Sequence, residues 1–560
     1  FSNGFYGVGA AAKGYFGKDV SELTLSEQAF IAAIRNNPTR YNPLTNFDNT
    51  IERRDNILAR LYNEDIISSM NYYTAIDSDI ELSKQPVASK NNSVETYARH
   101  CATESMMQAG GFIFRTNFYS DEDYEEYRKL YEESYTLYQQ KLMSGGYSVY
   151  TSINMDLQEK LQAAVDDNLE NYTSMKDGIY EMQSAATCID NTTGNVVAII
   201  GSRTQELEGY TLNRAYQSYR QPGSSIKPII DYVPYLQKGN TPDTIVADEY
   251  IQDGPKNADG TYMGNITLRT AVSLSRNTVA WNILKELTPK VGSSYLLNQG
   301  FHKIWMDKDY NAISIGGFTY GVSTEEMAGA YATIANDGKY RRVTCIVAVY
   351  DNRGKTVIDT SNREENIYDS ESCRMMTDML KTVVSEGTGR GAAPDDAIVA
   401  GKTGTTNSNY DSWFCGYSAY YTLAVWQGYD YPASIPQNAT IKIFRQFMDQ
   451  AHKGLAKKDF AKYNQKGNQE ETQTETESET ETETQSASKT QTETQSVSQT
   501  QSVKQTQKGI QSQTQASSQR ETGTARDADE TVSVNQDNTA GRNNPDVDRP
   551  AETKGDNLIN

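Results

Sequence analysis

The sequence is poor in histidine and has no paired cysteine motif. Its 560 residues include only three histidines, His100, His302 and His452, and these lie far apart. The five cysteines are scattered and form no C-x-x-C pair. Metal sites and redox motifs need such clusters, and small secreted folds need a dense set of disulfides. These shortages argue against a histidine-based metal site, a zinc ribbon and a disulfide framework. No metal and no cofactor is predicted.

The chain also lacks an excess of basic residues and a long apolar run. Its 53 Lys and Arg face 73 Asp and Glu, and the net charge is −20. Proteins that bind nucleic acid present a basic surface to the phosphates, so no nucleic-acid partner is expected. No run of 18 apolar residues occurs, so no transmembrane helix is predicted within these residues.

Aromatic residues are absent from the last part of the chain. Residues 464–560 contain no Trp, Tyr or Phe and are rich in Gln, Thr, Glu and Ser. Such a segment cannot bury enough apolar surface to offset the entropy lost on folding. We expect a disordered tail, which we assign to residues 451–560.

Helical periodicity dominates the first part of the chain. Capping residues and apolar residues at helical spacing predict a helix over residues 10–35, and Pro38 and Pro43 end this pattern. Residues 49–69 give a second amphipathic helix. We therefore predict a helical region over residues 1–80.

A connecting module is predicted over residues 81–183. It contains a charged helix at 121–141 whose tyrosines recur at helical spacing. We interpret these tyrosines as residues that pack the helix on its neighbour, and a sugar- or peptide-binding face is the alternative. A strand at 147–153 and a helix at 156–169 follow.

From residue 184 the pattern has strands at both ends and helices between them. Two strands flank a turn at 191–194, and strand patterns return at 397–405 and 412–427. This arrangement predicts an α+β domain over residues 184–450, with one sheet assembled from both ends of the segment.

The first motif with chemical meaning is Ser224-Ser225-Ile226-Lys227, preceded by Pro222 and Gly223. Residues three apart on a helix share a face, so the Lys227 amine comes within reach of the Ser224 hydroxyl. A serine is a weak nucleophile until a base removes its proton, and a buried neutral lysine can be that base. Taken alone, such a motif is most often an exposed helix start.

The second motif is Ser275-Arg276-Asn277, 51 residues after the first. A hydroxyl and an amide beside the first motif can relay a proton and hold the backbone of a peptide substrate. Taken alone, this motif is a helix cap.

The third motif is Lys402-Thr403-Gly404-Thr405, at the end of a predicted strand. Lys402 supplies positive potential, and the two threonines supply hydroxyls for a substrate carboxylate. Gly404 leaves room for a backbone to approach. Taken alone, the motif is a strand that ends in a polar turn.

In this order and at these separations, S-x-x-K, S-x-N and K-T-G form the pattern of the penicillin-interacting serine enzymes. From about residue 185 to residue 427, the surrounding sequence resembles the bifunctional (class A) penicillin-binding proteins. The shared features include Asn213-Arg214-Ala215 before the first motif and Gly387-Thr388-Gly389 before the third. The resemblance implies a penicillin-binding, transpeptidase-like domain in which a sheet is flanked by helices.

The resemblance also implies roles for single residues. Ser224 would be acylated by the penultimate D-Ala of a peptidoglycan stem peptide, and Lys227 would abstract its proton. Ser275 and Asn277 would assist proton transfer and substrate alignment. Lys402, Thr403 and Thr405, around Gly404, would bind the terminal carboxylate. Backbone N–H groups of Ser224 and Thr405 would form the oxyanion hole. Stem peptides are the expected partners, and β-lactams are the expected covalent inhibitors.

The N-terminal residues resemble the end of the glycosyltransferase domain of the same family, in Asn3-Gly4-Phe5-Tyr6-Gly7 and Arg40-Tyr41-Asn42-Pro43. In the family, the two catalytic glutamates precede these elements. We therefore expect the glutamates upstream of Phe1, and we expect these residues alone not to polymerise lipid-linked disaccharide. The family also implies a single-pass membrane anchor upstream and an extracytoplasmic catalytic domain.

The three motifs leave several activities open. They serve transpeptidases, D,D-carboxypeptidases, serine β-lactamases and non-catalytic penicillin sensors. Class A β-lactamases activate water with the glutamate of an E-x-x-L-N pattern, and the similar stretch here, at 294–298, has Ser294 in that position. We therefore predict a long-lived acyl-enzyme and a serine D,D-transpeptidase. A D,D-carboxypeptidase and a non-catalytic penicillin-binding scaffold or sensor are the alternatives, and the intact motifs argue against the scaffold.

Overall fold

The computed structural model describes residues 1–2, 5, 7–83, 92–205, 207, 211–359 and 364–464. Its helices are α1 (Val8–Phe16), α2 (Leu25–Ile34), α3 (Phe47–Asn63), α4 (Ser69–Ile76), α5 (Ser93–Ala109), α6 (Asp121–Ser144), α7 (Met155–Leu169), α8 (Arg214–Gln217), α9 (Val233–Leu236), α10 (Leu268–Ser273), α11 (Asn277–Leu287), α12 (Pro289–Asn298), α13 (Thr324–Ala335), α14 (Ser370–Ser385) and α15 (Thr440–Ala451).

Its strands are β1 (Ser148–Thr151), β2 (Met175–Lys176), β3 (Ile179–Tyr180), β4 (Met182–Asp190), β5 (Val196–Ile200), β6 (Ile245–Asp248), β7 (Gly264–Thr267), β8 (Lys339–Arg341), β9 (Ile346–Tyr350), β10 (Thr356–Asp359), β11 (Glu364–Asn366), β12 (Ala400–Thr405), β13 (Asp411–Tyr417) and β14 (Tyr421–Tyr429). The mixture of helices and sheet agrees with the predicted α+β class.

The N-terminal region consists of α1 to α4. The single helix predicted over 10–35 is two helices, because Gly17 ends α1 in the left-handed conformation with φ of 69°. Thr24 then starts α2 with a capping box to Glu27. Buried Arg54 of α3 donates hydrogen bonds to Ser26 Oγ and to the carbonyls of Ile76 and Ser78. These bonds tie α3 to α2 and to the end of α4.

Helices α5 and α6 follow, and the tyrosines of α6 take part in packing. Tyr124 and Tyr127 both contact the ring of buried Phe118, with ring centroids 5.1 Å apart in each pair. Tyr131 donates its hydroxyl to Glu104 of α5 at 2.8 Å. These contacts agree with the interpretation of the tyrosines as packing residues.

The central sheet is antiparallel and has the strand order β12-β13-β14-β4-β5. It is assembled from the two ends of the domain, as the sequence predicted. The single strand predicted over 412–427 is a hairpin of β13 and β14, because Ser418 forms a turn. The Ser418 hydroxyl accepts hydrogen bonds from the N–H groups of Tyr420 and Tyr421.

Both faces of this sheet are covered by helices. Ala185 and Ile189 of β4 belong to the core that includes α13, whereas Ala186 and Cys188 belong to the core that includes α7 and α15. Alternate residues of one strand thus face two helical layers, which explains why β4 is buried almost throughout. Helix α7, predicted as part of the connecting module, packs on this sheet. The domain boundaries themselves stay predictions.

Two smaller features connect the regions. Strand β1 pairs with β9, which also pairs with β10, so the connecting module shares a sheet with the later domain. In the segment assigned to the tail, residues 452–464 lie against the domain, where Phe460 contacts the ring of Tyr417 and the N–H of Asn464 donates to Glu371. The rest of the predicted tail, from residue 465, is outside the described residues.

Candidate active site

Ser224 lies at the start of a short composite helix. A 3₁₀ turn covers Gly223–Ile226, a π turn covers Pro228–Tyr232, and α9 follows. Side chains three apart eclipse one another in a 3₁₀ turn, so Ser224 lies directly beside Lys227 along the helix. Ser224 is half-buried, and Lys227 is fully buried. The two residues therefore approach through a tighter turn than the α-helix that the sequence suggested.

Lys227 joins the first motif to the second. Its Nζ donates to the Ser275 carbonyl oxygen at 2.9 Å and to Asn277 Oδ1 at 2.7 Å. Asn277 is the first residue of α11, but its side chain faces Lys227 and does not cap that helix. The second motif is thus part of the surroundings of the lysine.

Lys402 joins the third motif to the second. It is fully buried on β12, and its Nζ donates to Ser275 Oγ at 2.8 Å and to the Thr403 carbonyl oxygen at 3.1 Å. Ser275 therefore contacts both amines, Lys227 through its carbonyl and Lys402 through its hydroxyl. Residues 227, 275, 277 and 402 form one hydrogen-bonded cluster, and Ser224 lies one turn before Lys227.

Two glycines allow the nucleophile turn to lie against β12. A Cβ on Gly404 would overlap the carbonyl oxygen of Pro222 and lie 2.8 Å from Ser225 Oγ. Gly223 has φ of 53°, and a Cβ there would lie 2.5 Å from the Thr405 carbonyl oxygen. The backbone that approaches Gly404 is thus the chain's own. The backbone N–H groups of Ser224 and Thr405 lie on adjoining segments.

The charge state of both lysines is set by burial. Burial lowers the pKa of Lys227 to about 7, with the positive charge of Arg276 acting in the same direction and Asp231 opposing it. Burial also holds the pKa of Lys402 well below its usual range, and the charge of Lys227 adds to this. Two neighbouring buried amines resist carrying two protons, so a neutral amine is available near pH 7.

The mouth of the cleft carries hydroxyl groups. Thr403 is half-buried and Thr405 is exposed, both on the side of β12 away from Lys402. Thr403 Oγ1 lies 2.8 Å from Thr388 Oγ1, which is also exposed. Thr388 is a functional candidate to which the sequence assigned no role. The signal was present, because Gly387-Thr388-Gly389 belongs to the family resemblance.

A second group missed from the sequence lies beneath the S-x-N loop. Asp248, Asn257 and Arg276 form a buried hydrogen-bonded network that contacts Asn277. The sequence already showed Arg276 as the middle residue of the S-x-N motif, Ser275-Arg276-Asn277. Asp248 and Asn257 lie 28 and 20 positions away from their partners, Arg276 and Asn277, and no local pattern marked them.

The described residues contain no cluster of three or more His, Cys, Asp or Glu side chains suited to a metal ion. Within the same residues, no helix combines the length and apolar character that a membrane span requires.

The chain matches two known families. Residues 184–449 match the penicillin binding protein transpeptidase domain, and residues 1–62 match the transglycosylase family. Penicillin-binding protein 4 of Bacillus subtilis is 33% identical over 440 residues, which are 78% of this chain and 68% of that protein. Penicillin-binding protein 1A of Clostridium acetobutylicum is 32% identical over 480 residues, which are 81% of this chain and 57% of that protein.

Solved structures show the same fold. Penicillin-binding protein 1A from Haemophilus influenzae superposes with a TM-score of 0.57 at 21% identity, over 82% of this chain and 84% of that chain. PonA1 from Mycobacterium tuberculosis, solved in complex with penicillin V, gives a TM-score of 0.51 at 26% identity, over 60% of this chain and 94% of that chain. The match to the transpeptidase domain and the 33% identity to penicillin-binding protein 4 over 68% of its length show that the chain belongs to the class A penicillin-binding proteins, whose transpeptidase domain is a serine acyl-transferase.

Proposed function

We propose that this chain cross-links peptidoglycan as a serine D,D-transpeptidase, with Ser224 as the nucleophile. The observation that carries the proposal is the hydrogen bonding of Lys227 Nζ to both Ser275 and Asn277, while Lys402 Nζ bonds to the Ser275 hydroxyl. Three distant motifs thereby meet around Lys227, one 3₁₀ turn after Ser224, and a neutral amine there can deprotonate the Ser224 hydroxyl.

Acylation follows from this arrangement. The neutral amine of Lys227 takes the proton of Ser224, and Oγ bonds to the carbonyl carbon of the penultimate D-Ala. The backbone N–H groups of Ser224 and Thr405 stabilise the negative charge on the carbonyl oxygen. The bond to the terminal D-Ala breaks, and the proton that Lys227 took from Ser224 goes to the departing amine, a transfer that Ser275 assists.

Carboxylate recognition is the role of the third motif. Lys402 lies behind Ser275 as a hydrogen-bond donor, and Thr403 and Thr405 provide hydroxyls on the other side of β12, with Gly404 between them. Thr388 lies against Thr403, so its hydroxyl is a further donor for the same carboxylate. β-Lactams carry a carboxylate and a strained amide, and PonA1 binds penicillin V. We therefore include β-lactams among the ligands of this site.

The molecule that attacks the acyl-enzyme decides between the two outcomes: an amine gives transpeptidation, and water gives hydrolysis. Ser294, which replaces the glutamate of the E-x-x-L-N pattern, is exposed and donates its hydroxyl to the Val291 carbonyl oxygen. A hydroxyl used in this way does not activate water, which supports a stable acyl-enzyme and argues against a β-lactamase. An amine of a second stem peptide then attacks the ester and releases Ser224.

The test is incubation of the protein with a stem-pentapeptide mimic and a free D-amino acid, followed by mass spectrometry. We expect an acyl adduct on Ser224 and a product in which the D-amino acid replaces the terminal D-Ala. Free D-Ala without exchange would identify a D,D-carboxypeptidase. The absence of any adduct would favour a non-catalytic scaffold.

The substrate also suggests where the protein acts. Stem peptides are cross-linked outside the cytoplasmic membrane, so we place the catalytic domain there, held by a single-pass anchor as the family implies. Protease accessibility of the domain in intact cells stripped of their wall would test this location.

A further inference from the structure

The loop that carries Ser275 and Asn277 is built around a buried ion pair. Arg276 is 4% exposed, and its Nε donates to Asp248 Oδ2 at 2.7 Å. Asp248, the last residue of β6, is fully buried and also accepts hydrogen bonds from Asn257, Met263 and Thr278. Burial alone would raise the pKa of Asp248, but these hydrogen bonds and Arg276 hold it below its ordinary value. The carboxylate therefore stays ionised and keeps Arg276 in place.

Asn257 connects this ion pair to Asn277. Its Nδ2 donates to Asp248 Oδ1 at 2.6 Å and to the Thr261 carbonyl oxygen at 2.9 Å. Its Oδ1 accepts from the backbone N–H of Asn277 at 2.7 Å. The buried amide of Asn257 thus fixes the backbone position at which α11 begins.

The neighbouring residue sets the orientation of the Asn277 side chain. Asn277 Nδ2 donates to the Lys256 carbonyl oxygen at 2.8 Å. Since the amide nitrogen is used in this way, the amide oxygen faces Lys227 Nζ, 2.7 Å away. The Lys256 carbonyl can only accept a hydrogen bond, and the Lys227 amine donates one here. The Asn277 amide therefore fits in only one orientation, with its nitrogen toward Lys256 and its oxygen toward Lys227.

Ser275 is held in an uncommon conformation by the same loop. Its φ is 58°, in the left-handed region that non-glycine residues seldom adopt. Backbone hydrogen bonds from Ser275 to Val272 and from Arg276 to Ala271 accompany this conformation. Such strain persists only where the surroundings impose it, and here it directs the Ser275 carbonyl to Lys227.

A neutral amine has two hydrogens and one lone pair. In Lys227 the carbonyl of Ser275 and the amide oxygen of Asn277 accept both hydrogens. We propose that Asp248, Arg276 and Asn257 act as a clamp of positioning residues, which holds these two acceptors so that the lone pair of Lys227 faces the hydroxyl of Ser224. This inference rests on the proposed function, and it gives buried Arg276 the role of holding Ser275 and Asn277 on either side of it.

The test is the kinetics of acylation by a fluorescent penicillin, with the maximal acylation rate separated from non-covalent affinity. The clamp affects proton transfer and does not contact the ligand. We therefore expect Asn257→Ala to lower the maximal rate about 10-fold or more, as small misplacements of catalytic groups do. The non-covalent affinity should stay within about twofold of wild type, since a merely disordered cleft would lose affinity and rate together.

A matched control lies in the hairpin of β6 and β7, whose connecting segment contains Asn257. Asn265 is an exposed residue of β7, opposite Ala247 in the strand pair, so Asn265→Ala removes an identical side chain outside the clamp. It should leave both parameters unchanged. Equal acylation rates for wild type and Asn257→Ala, or parallel losses of rate and affinity, would overturn the clamp.

A second variant covers the case in which Asn257→Ala does not fold. The Asp259 side chain is 53% exposed and contacts the outer nitrogen of Arg276 at 2.8 Å. Asp259→Asn weakens the hold on Arg276 without uncovering a buried charge, so a smaller loss of rate at constant affinity is expected. An unchanged rate would count against the clamp. A wild type that is never labelled would instead overturn the proposed function.

Discussion

Two buried basic sites in this chain differ in the partners that surround the basic group. In the N-terminal helices, Arg54 is 4% exposed, lies 2.6 Å from Asp55 and donates to a hydroxyl and two carbonyls. In the cleft, Lys227 and Lys402 are fully buried, and within the described residues neither forms an ion pair. Burial without an ion pair makes the charged form of an amine costly, and for Lys227 the charge of Asp231 offsets this only in part. The arginine stays charged and its buried partners stabilise the fold, whereas a buried lysine without an ion pair can lose its proton and act as a base.

The strongest prediction concerns the hydroxyl that this base serves. Ser224→Ala should abolish covalent labelling by fluorescent penicillin, because no oxygen remains to form the ester. Intact-mass spectrometry measures the adduct, and Ser225→Ala, which changes the neighbouring hydroxyl bonded to Pro222, serves as the control. Equal labelling of wild type and Ser224→Ala would remove Ser224 from the mechanism.

Next in size is the loss of the amine itself. Lys227→Met keeps most of the side-chain volume and removes the base, so acylation should slow by about 10²–10⁴-fold, the usual contribution of general base catalysis. Stopped-flow labelling measures the rate. If the variant retained wild-type acylation, Lys402 would have to be the base.

The pH profile sharpens the contrast between the two sites. Lys227 acts as a base only when neutral, and its pKa is about 7. The acylation rate should therefore level off above pH 7 and fall by about tenfold for each pH unit below it. Rates measured from pH 5 to pH 9 test this. A rate that keeps rising about tenfold per pH unit up to pH 9 would indicate a solvated, ordinary lysine.

A smaller effect is expected at the mouth of the cleft. Thr388→Val removes one hydroxyl that lies 2.8 Å from Thr403 Oγ1, so the affinity for a carboxylate-bearing stem peptide should fall about 2- to 10-fold. Thr388→Ser should restore it. With a substrate whose terminal carboxylate is amidated, wild type and Thr388→Val should behave alike, and a loss of equal size there would exclude carboxylate binding.

The smallest effect on chemistry is expected in the N-terminal helices. Arg54→Met leaves the carbonyls of Ile76 and Ser78 without their donor, at a cost of about 1–3 kcal/mol for each group that stays buried. Hydrogen exchange over residues 7–83 should rise, while acylation of Ser224 stays within about twofold of wild type. A matching loss of acylation would show that the two sites are coupled.

Local patterns in the sequence predicted the elements that carry the site. The spacing within S-x-x-K and the strand pattern before Lys402 needed only short-range rules, and the hairpin of β4 and β5 had a clear turn. Two boundaries were missed because single residues decided them, Gly17 through its positive φ and Ser418 through its hydroxyl.

Long-range partners could not be predicted in the same way. Asp248 and Asn257 act on residues 28 and 20 positions away, and their neighbours give no periodic signal. The packing partner of α7 could not be predicted for a similar reason, since an apolar helix face fits many partners and the sequence does not say that the partner is the sheet.

The strand order of the central sheet has a consequence for biogenesis. Residues 224 and 402 meet only after β12 has docked beside β13, which itself needs β14 to reach β4, so the cleft is closed by some of the last residues of the domain. Pairings between such distant segments form slowly. During synthesis the emerging polypeptide would therefore remain chemically inert toward penicillin until nearly the whole domain has been made.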